Sequence, residues 1–178
     1  AQDGAVWLVD ADAGTVLHVA ETSRVIEALS IGATPTDVAV GEGSVWIGSG
    51  RPLAGAQFVG AVATAVARLD PATRTRRGEI DLPHGAGATS NLVDNHLAVA
   101  GDAVWAVTPD SGLARIDAAS GTITAVTRAL PVAAVASGPA GIWALGVHGE
   151  VARLAPRSAR PLARARVPDP SVAAIAVG

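Results

Sequence analysis

The stretch Asp37-Val-Ala-Val-Gly-Glu-Gly-Ser-Val-Trp-Ile-Gly48 reads as strand, tight turn, strand. Val38 and Val40 alternate with smaller residues, the period of a half-buried strand. Gly41-Glu42-Gly43 supplies the positive φ that a short hairpin turn needs. Val45-Trp46-Ile47 is β-branched and aromatic, the composition strands favour. The unit returns as Leu97-Ala-Val-Ala-Gly-Asp-Ala-Val-Trp-Ala-Val107 and as Val135-Ala-Ser-Gly-Pro-Ala-Gly-Ile-Trp-Ala-Leu145. Its second half stands at Asp3-Gly-Ala-Val-Trp-Leu-Val9, and its first half at Val172-Ala-Ala-Ile-Ala-Val-Gly178.

The four Trp, at 7, 46, 105 and 143, are 39, 59 and 38 residues apart. Two gaps agree, and the third points to an insertion, placed at 49–65. A second marker follows each Trp: Val66-Ala-Arg68-Leu-Asp70-Pro-Ala-Thr in the second copy, Leu113-Ala-Arg115-Ile-Asp117 in the third and Val151-Ala-Arg153-Leu in the fourth. Each repeat thus has four short strands, here called a to d. Strand b carries the Trp, strand c ends in the Arg-Ile/Leu-Asp marker, and strand d runs through segments such as 24–30 and 121–129. A fixed period of about 40–50 residues with four strands per period predicts an all-β fold, a β-propeller of four four-stranded blades. A β-sandwich also has short strands and frequent turns, but it does not need the same Trp and the same turn in every fourth strand. The expected blades are 1–32 with 171–178, 35–82, 94–130 and 131–167, in one domain. Joining Ile175-Ala-Val-Gly178 to Asp3-Gly-Ala-Val-Trp7 regenerates the repeat unit. Two closures fit: 172–177 completes the first blade of its own chain as a four-bladed ring, or that of a second copy as an eight-bladed homodimer. A fragment of a longer propeller is the third arrangement.

Composition narrows the classes. Hydrophobic residues make up 49% of the 178, with 20 Gly and 11 Pro, which suits many short strands joined by turns. The formal net charge of −3 argues against a general nucleic-acid binder. All 13 basic residues are Arg, and with the excess of Ala this looks like high-GC coding bias. There is no Cys, so thiol chemistry is excluded. No apolar run approaches the roughly 18 residues of a membrane span, and no stretch reads as a signal peptide. The sequence has no Met, the expectation for a processed product or a piece of something longer.

The pattern Ala-Val-Gly-Glu-Gly-Ser-Val-Trp, followed by Arg68-Leu-Asp70-Pro-Ala-Thr, resembles the YVTN-type and related bacterial propeller repeats. The resemblance covers nearly all of the chain. It implies a propeller, an extracytoplasmic setting, and a role as a binding protein, sensor domain or regulatory tail. Ser137-Gly-Pro-Ala-Gly-Ile-Trp143 also resembles half of the blade motif of the virginiamycin B lyase propeller. The Phe-Thr-Glu half of that motif is absent from all four copies, so no catalytic residue is implied.

In a propeller the b–c and d–a connections share one end and the a–b and c–d turns share the other. The irregular segments, 49–65 and 81–95, both fall on the first end, where binding sites on regular scaffolds usually lie. The candidate ligand-binding residues are Asp12, Arg51, His84, Asn91, Asp110 and His148, a polar rim around the channel mouth. Against this, Asp12 and Asp110 serve as ordinary turn residues. Asp10-Ala-Asp12-Ala-Gly14 begins with calcium-loop spacing but lacks the third acidic ligand and the Glu at position twelve. A propeller could bring His84 and His148 together, but no metal or cofactor is expected. Arg74, Arg76 and Arg77, and the Arg residues from 153 to 166, read as charge on outer strands that blunts sheet edges. Recurrence of Arg68, Arg115 and Arg153 suggests a structural pairing with the recurring Asp70 and Asp117. The Trp read as packing between blades. No Ser-His-Asp or paired-carboxylate spacing is present. The expected function is a non-enzymatic binding or interaction module whose partner is a protein, a small molecule or a second copy. The alternatives are a lyase or hydrolase with a polar, metal-assisted site at the channel mouth, and a self-assembling propeller fragment with no ligand.

Overall fold

The computed structural model describes residues 4–20, 26–52, 61–84, 96–168 and 174–177. Every element in it is a strand. The first sheet holds β1 (Val6–Asp10), β2 (Thr15–Val19) and β3 (Ile26–Ser30). The second holds β4 (Thr34–Gly41), β5 (Ser44–Pro52), β6 (Ala61–Leu69) and β7 (Arg76–Asp81). The third holds β8 (Leu97–Ala100), β9 (Ala103–Val107), β10 (Leu113–Asp117) and β11 (Ile123–Thr127). The fourth holds β12 (Val132–Gly138), β13 (Gly141–Gly146), β14 (Glu150–Leu154) and β15 (Pro161–Arg166). Each is an antiparallel meander in chain order, and the four sheets are four blades of a β-propeller, with β4, β8 and β12 as inner strands. Among the described residues, no helix is long and apolar enough to cross a membrane.

The hairpin of the opening stretch forms as its residues dictate. Gly41 pairs with Ser44, leaving a two-residue loop, Glu42-Gly43, with φ of 51° and 68°. Positive φ at both central positions is the type I′ geometry whose twist matches the flanking strands. Trp46 Nε1 donates to the Gly41 carbonyl at 3.1 Å and ties the turn to the strand that follows it.

The sheets stack in chain order through one repeated seam. Side chains alternate across a strand, so the Trp of each sheet faces the next sheet and the residues on either side of it face the previous one. Trp7 shares a core cluster with Val45, Ile47, Ala67 and Leu69 of the second sheet. Trp46 shares one with Val104, Ala106, Ala114 and Ile116 of the third. Trp105 shares one with Val132, Val135, Ile142 and Ala144 of the fourth. Trp46 and Trp105 are fully buried, and burying a ring of this size in an Ala-rich interior is worth roughly 4–6 kcal/mol of transfer free energy. At the inner strands the approach is close: a Cβ built on Gly41 would stand 3.0 Å from Val99 Cβ and 2.5 Å from Cγ1. Only glycine allows β4 and β8 to meet there.

Two sequence expectations change. Segment 49–65 is not a loop throughout: β5 and β6 stay paired past their bulge to Arg51↔Val62 and Pro52↔Ala61, so the insertion lengthens a hairpin whose tip lies outside the described residues. Arg68 and Arg115 do not pair with Asp70 and Asp117. Arg68 stacks over Trp46 at 4.9 Å and donates from Nε to Ser44 Oγ at 2.9 Å. Its Nη1 reaches the Ala119 carbonyl in the next sheet at 3.3 Å. Arg115 donates to Asp102 at 2.5 Å, to Thr124 Oγ1 at 2.8 Å and across the seam to the Pro156 carbonyl at 2.8 Å. The two Asp instead cap their own c–d turns. Asp70 Oδ1 accepts from Ala72 N and Thr73 N and Oδ2 meets Arg77, and Asp117 Oδ1 accepts from Ser120 N and Oγ. The Thr73 N–H bond, followed by the Arg77 contact, lowers the Asp70 carboxyl to about 2. The first sheet holds three described strands, and 174–177 lie beside the fourth sheet, outside any described strand pair with β1.

Candidate functional site

Strand direction sorts the connections. The b–c links (between β1 and β2, β5 and β6, β9 and β10, β13 and β14) and the d–a links (after β3, β7 and β11) all leave from one end of the stack. Asp12, His84, Asp110 and His148 stand at that end, and so does Arg51 near the end of β5. Asn91 and the Arg51 side chain lie outside the described residues, as does most of segment 81–95.

The four described side chains differ in what they are free to do. Asp12 is exposed in the first b–c turn, where Asp10 Oδ1 does the turn work by accepting from Ala13 N at 2.9 Å. Asp110 is committed: Oδ1 accepts from Thr108 Oγ1 at 2.5 Å, and Oδ2 takes Arg128 Nε at 2.8 Å and Nη2 at 2.7 Å. It clamps its own b–c turn to the start of the following d–a link. His148 is exposed in the tight turn closed by Gly149 N on the Gly146 carbonyl at 3.0 Å. His84 is exposed, and its Nδ1 donates to the Leu82 carbonyl at 3.1 Å. These residues share one end of the stack. Asp110 and His84 each hold a hydrogen bond within their own connections. Among the described residues, no three His, Asp or Glu side chains are grouped to hold a metal ion.

Sequence reading missed one polar site on the same end. Asp37, near the start of β4, accepts from Val38 N at 2.7 Å and reaches across the seam to accept from Leu97 N at 2.8 Å. His96 lies beside it, and its carbonyl accepts from Val107 N at 2.9 Å. Burial raises the Asp37 carboxyl above its ordinary value, against the lowering effect of the two N–H bonds and of His96. Thr36 Oγ1 is buried nearby without a partner among the described residues, and Gly48 leaves room for it. The signal was countable: nine residues before Trp46, Trp105 and Trp143 stand Asp37, His96 and Ala134. This position is polar in the second and third blades and Ala in the fourth. The group fastens the inner strands of the second and third blades to each other at this end.

A different feature lies on the outer side of the fourth sheet. An apolar cleft of about 480 Å³ opens between that sheet and 174–177, lined by Trp143, Leu145, Val151, Val167, Ile175 and Val177 among others.

No family model matches the chain, and no curated protein matches it. Solved structures do. The chain is similar to BamB from Moraxella catarrhalis, with a TM-score of 0.65 and 15% identity over 92% of this chain and 46% of that one. It is equally similar to a chain in the crystal structure of a mitotic checkpoint complex, with a TM-score of 0.65 and 15% identity over 90% of this chain and 45% of that one. The chain therefore spans about half the length of the propellers it matches. At this identity the likeness concerns the fold.

Proposed function

We propose that this chain is a non-enzymatic propeller interaction module that takes a protein partner on the end bearing the b–c and d–a connections. The observation that carries the reading is the β5–β6 hairpin, which stays paired as far as Pro52↔Ala61. The corresponding hairpins of the first, third and fourth sheets stop at Asp10↔Thr15, Val107↔Leu113 and Leu145↔Val151. A single prolonged hairpin on a regular stack gives one side of the mouth a raised wall. Arg51 is on that wall, while Asp12, His84, Asn91, Asp110 and His148 belong to the turns and links around it. One similar structure is part of a multi-protein complex, which fits a role in binding protein.

The test is selection of a random peptide library on the immobilised chain. Peptides are expected to lose at least tenfold in affinity on the double variant Arg51→Ala, His84→Ala, and to keep it on Arg157→Ala at the opposite end. Peptides lost on Arg157→Ala and indifferent to the double variant would move the binding surface to the a–b and c–d turns.

A further inference from the structure

The two outer sheets carry the two halves of the internal seam, each without its counterpart. In the second, third and fourth sheets the residues flanking the Trp are covered by the preceding sheet: Val45, Ile47, Val104, Ala106, Ile142 and Ala144 are all 0–1% exposed. Their equivalents in the first sheet are Val6 and Leu8, which are 53% and 46% exposed. The register Val6↔Val19↔Ile26 puts Ile26, 64% exposed, on the same face. At the other end of the stack, Trp143 is the homologue of Trp7, Trp46 and Trp105, each of which inserts against a following sheet. Its side of the fourth sheet is the apolar cleft.

The inner strand repeats the argument. A Cβ on Gly138 would stand 2.9 Å from Val177 Cβ, as one on Gly41 would stand 3.0 Å from Val99 Cβ. Val177 thus sits on the fourth blade as the inner strand of the third sits on the second. Residues 174–177 hold the place of an inner strand for a sheet that follows the fourth. Ile175-Ala-Val177-Gly178 is nearly the Val38-Ala-Val40-Gly41 that fills this place in the second blade. β1 is the Trp strand that lacks an inner neighbour among the described residues. Among the described residues the chain does not supply the contact to itself: no described strand of the first sheet meets one of the fourth to the extent that β1 meets β4 or β8 meets β12.

We propose that the occupant is a second copy, with the Val6, Leu8 and Ile26 face of one copy closing over Trp143 of the other and residues 174–177 pairing along the partner's β1. Two different faces in contact either close a ring or propagate a fibre. Two arcs of four sheets make eight, within the blade numbers at which propellers close. The matched propellers, about twice this length, are consistent with an arc that is half of a ring. The interface is lateral, separate from the end proposed to bind a partner, so either can fail alone.

Light scattering on the purified chain at micromolar concentration tests this. The expected mass is twice 17.6 kDa. Val6→Asp with Leu8→Asp, and separately Trp143→Arg, should each give the 17.6 kDa species. Mixing the two variants should restore the doubled mass, because one intact seam remains between them. Ile26→Asp serves in place of the double variant if that does not fold. A wild-type chain at single mass overturns the proposal and assigns the open faces to further blades of a longer chain. Assemblies larger than two copies overturn the closed ring. A dimer broken from the first sheet alone and indifferent to Trp143→Arg would show that like faces meet.

Discussion

The seam between the third and fourth sheets and the outer side of the fourth sheet are built from the same parts and differ in what surrounds them. In the seam, Trp105 is fully buried and Arg115 is 5% exposed with bonds to Asp102, Thr124 and the next sheet's Pro156. On the outer side the same two positions are Trp143, which lines an open cleft, and Arg153, which is exposed. Identical residue types at identical positions thus have different energetic weight. A repeat fixes the side chain, and the neighbouring sheet decides whether it stabilises anything.

The comparison can be broken most directly at the Trp. Replacing Trp105 by Ala should cost about 3–5 kcal/mol in urea unfolding. Trp143→Ala, measured at a dilution where single chains dominate, should cost less than half of that. Equal losses would mean that the two sides are packed alike. Arg115→Ala should follow at about 1.5–3 kcal/mol, the range for charged hydrogen bonds removed from a buried site, whereas Arg153→Ala should stay within about 0.5 kcal/mol. Gly41→Ala drives a methyl into the stiff Val99 side chain and should cost about 1–3 kcal/mol. Gly138→Ala, against Val177, should cost less because 174–177 have an open side toward which to move.

The smallest effect is in pH. The folded Asp70 carboxyl, at about 2, lies below the ordinary 3.8. Its contribution is complete above the ordinary value and is lost as pH falls toward 2. Asp117 is lowered in the same sense by the Ser120 N–H and hydroxyl. Asp37 runs the other way: its raised value means that stability declines as pH climbs from the ordinary carboxylate range through the folded one. Asp70→Asn should flatten the acid limb of a stability–pH curve, and Asp37→Asn should flatten the segment above it. A steeper acid limb in Asp70→Asn would contradict the turn assignment.

What was legible in the sequence was whatever repeats locally. The Gly-Glu-Gly and Asp-Pro-Ala-Thr turns gave the blades, because each turn depends on neighbours a few residues away, and the stacking role of the Trp followed from their recurrence in an Ala-rich interior. Arg68 and Arg115 were paired with the wrong acids because their partners are chosen by the stacking of sheets. Ala119 is 51 residues from Arg68, and Pro156 is 41 from Arg115. The Asp37 bond to Leu97 spans 60 residues and escaped notice for the same reason. Strand order puts the b–c connections at one end, but it does not separate the exposed Asp12 from the hydrogen-bonded Asp110. Asp12 and Asp110 look alike as turn residues, and the Arg128 clamp on Asp110 is a contact 18 positions away. The long hairpin reads as a loop in the sequence because Ala-Val-Ala-Thr-Ala carries little hydrophobic contrast between alternate positions.

The account rests on one seam repeated through the stack and exposed at both ends. Amide hydrogen exchange along β1 in the purified chain reads its open edge residue by residue. Protection of every second β1 amide on the side away from β2, at a level comparable to β5 and β9, is the predicted result. Exchange of those amides at the rate of an unpaired strand edge, while the β2-bonded amides remain protected, would contradict it.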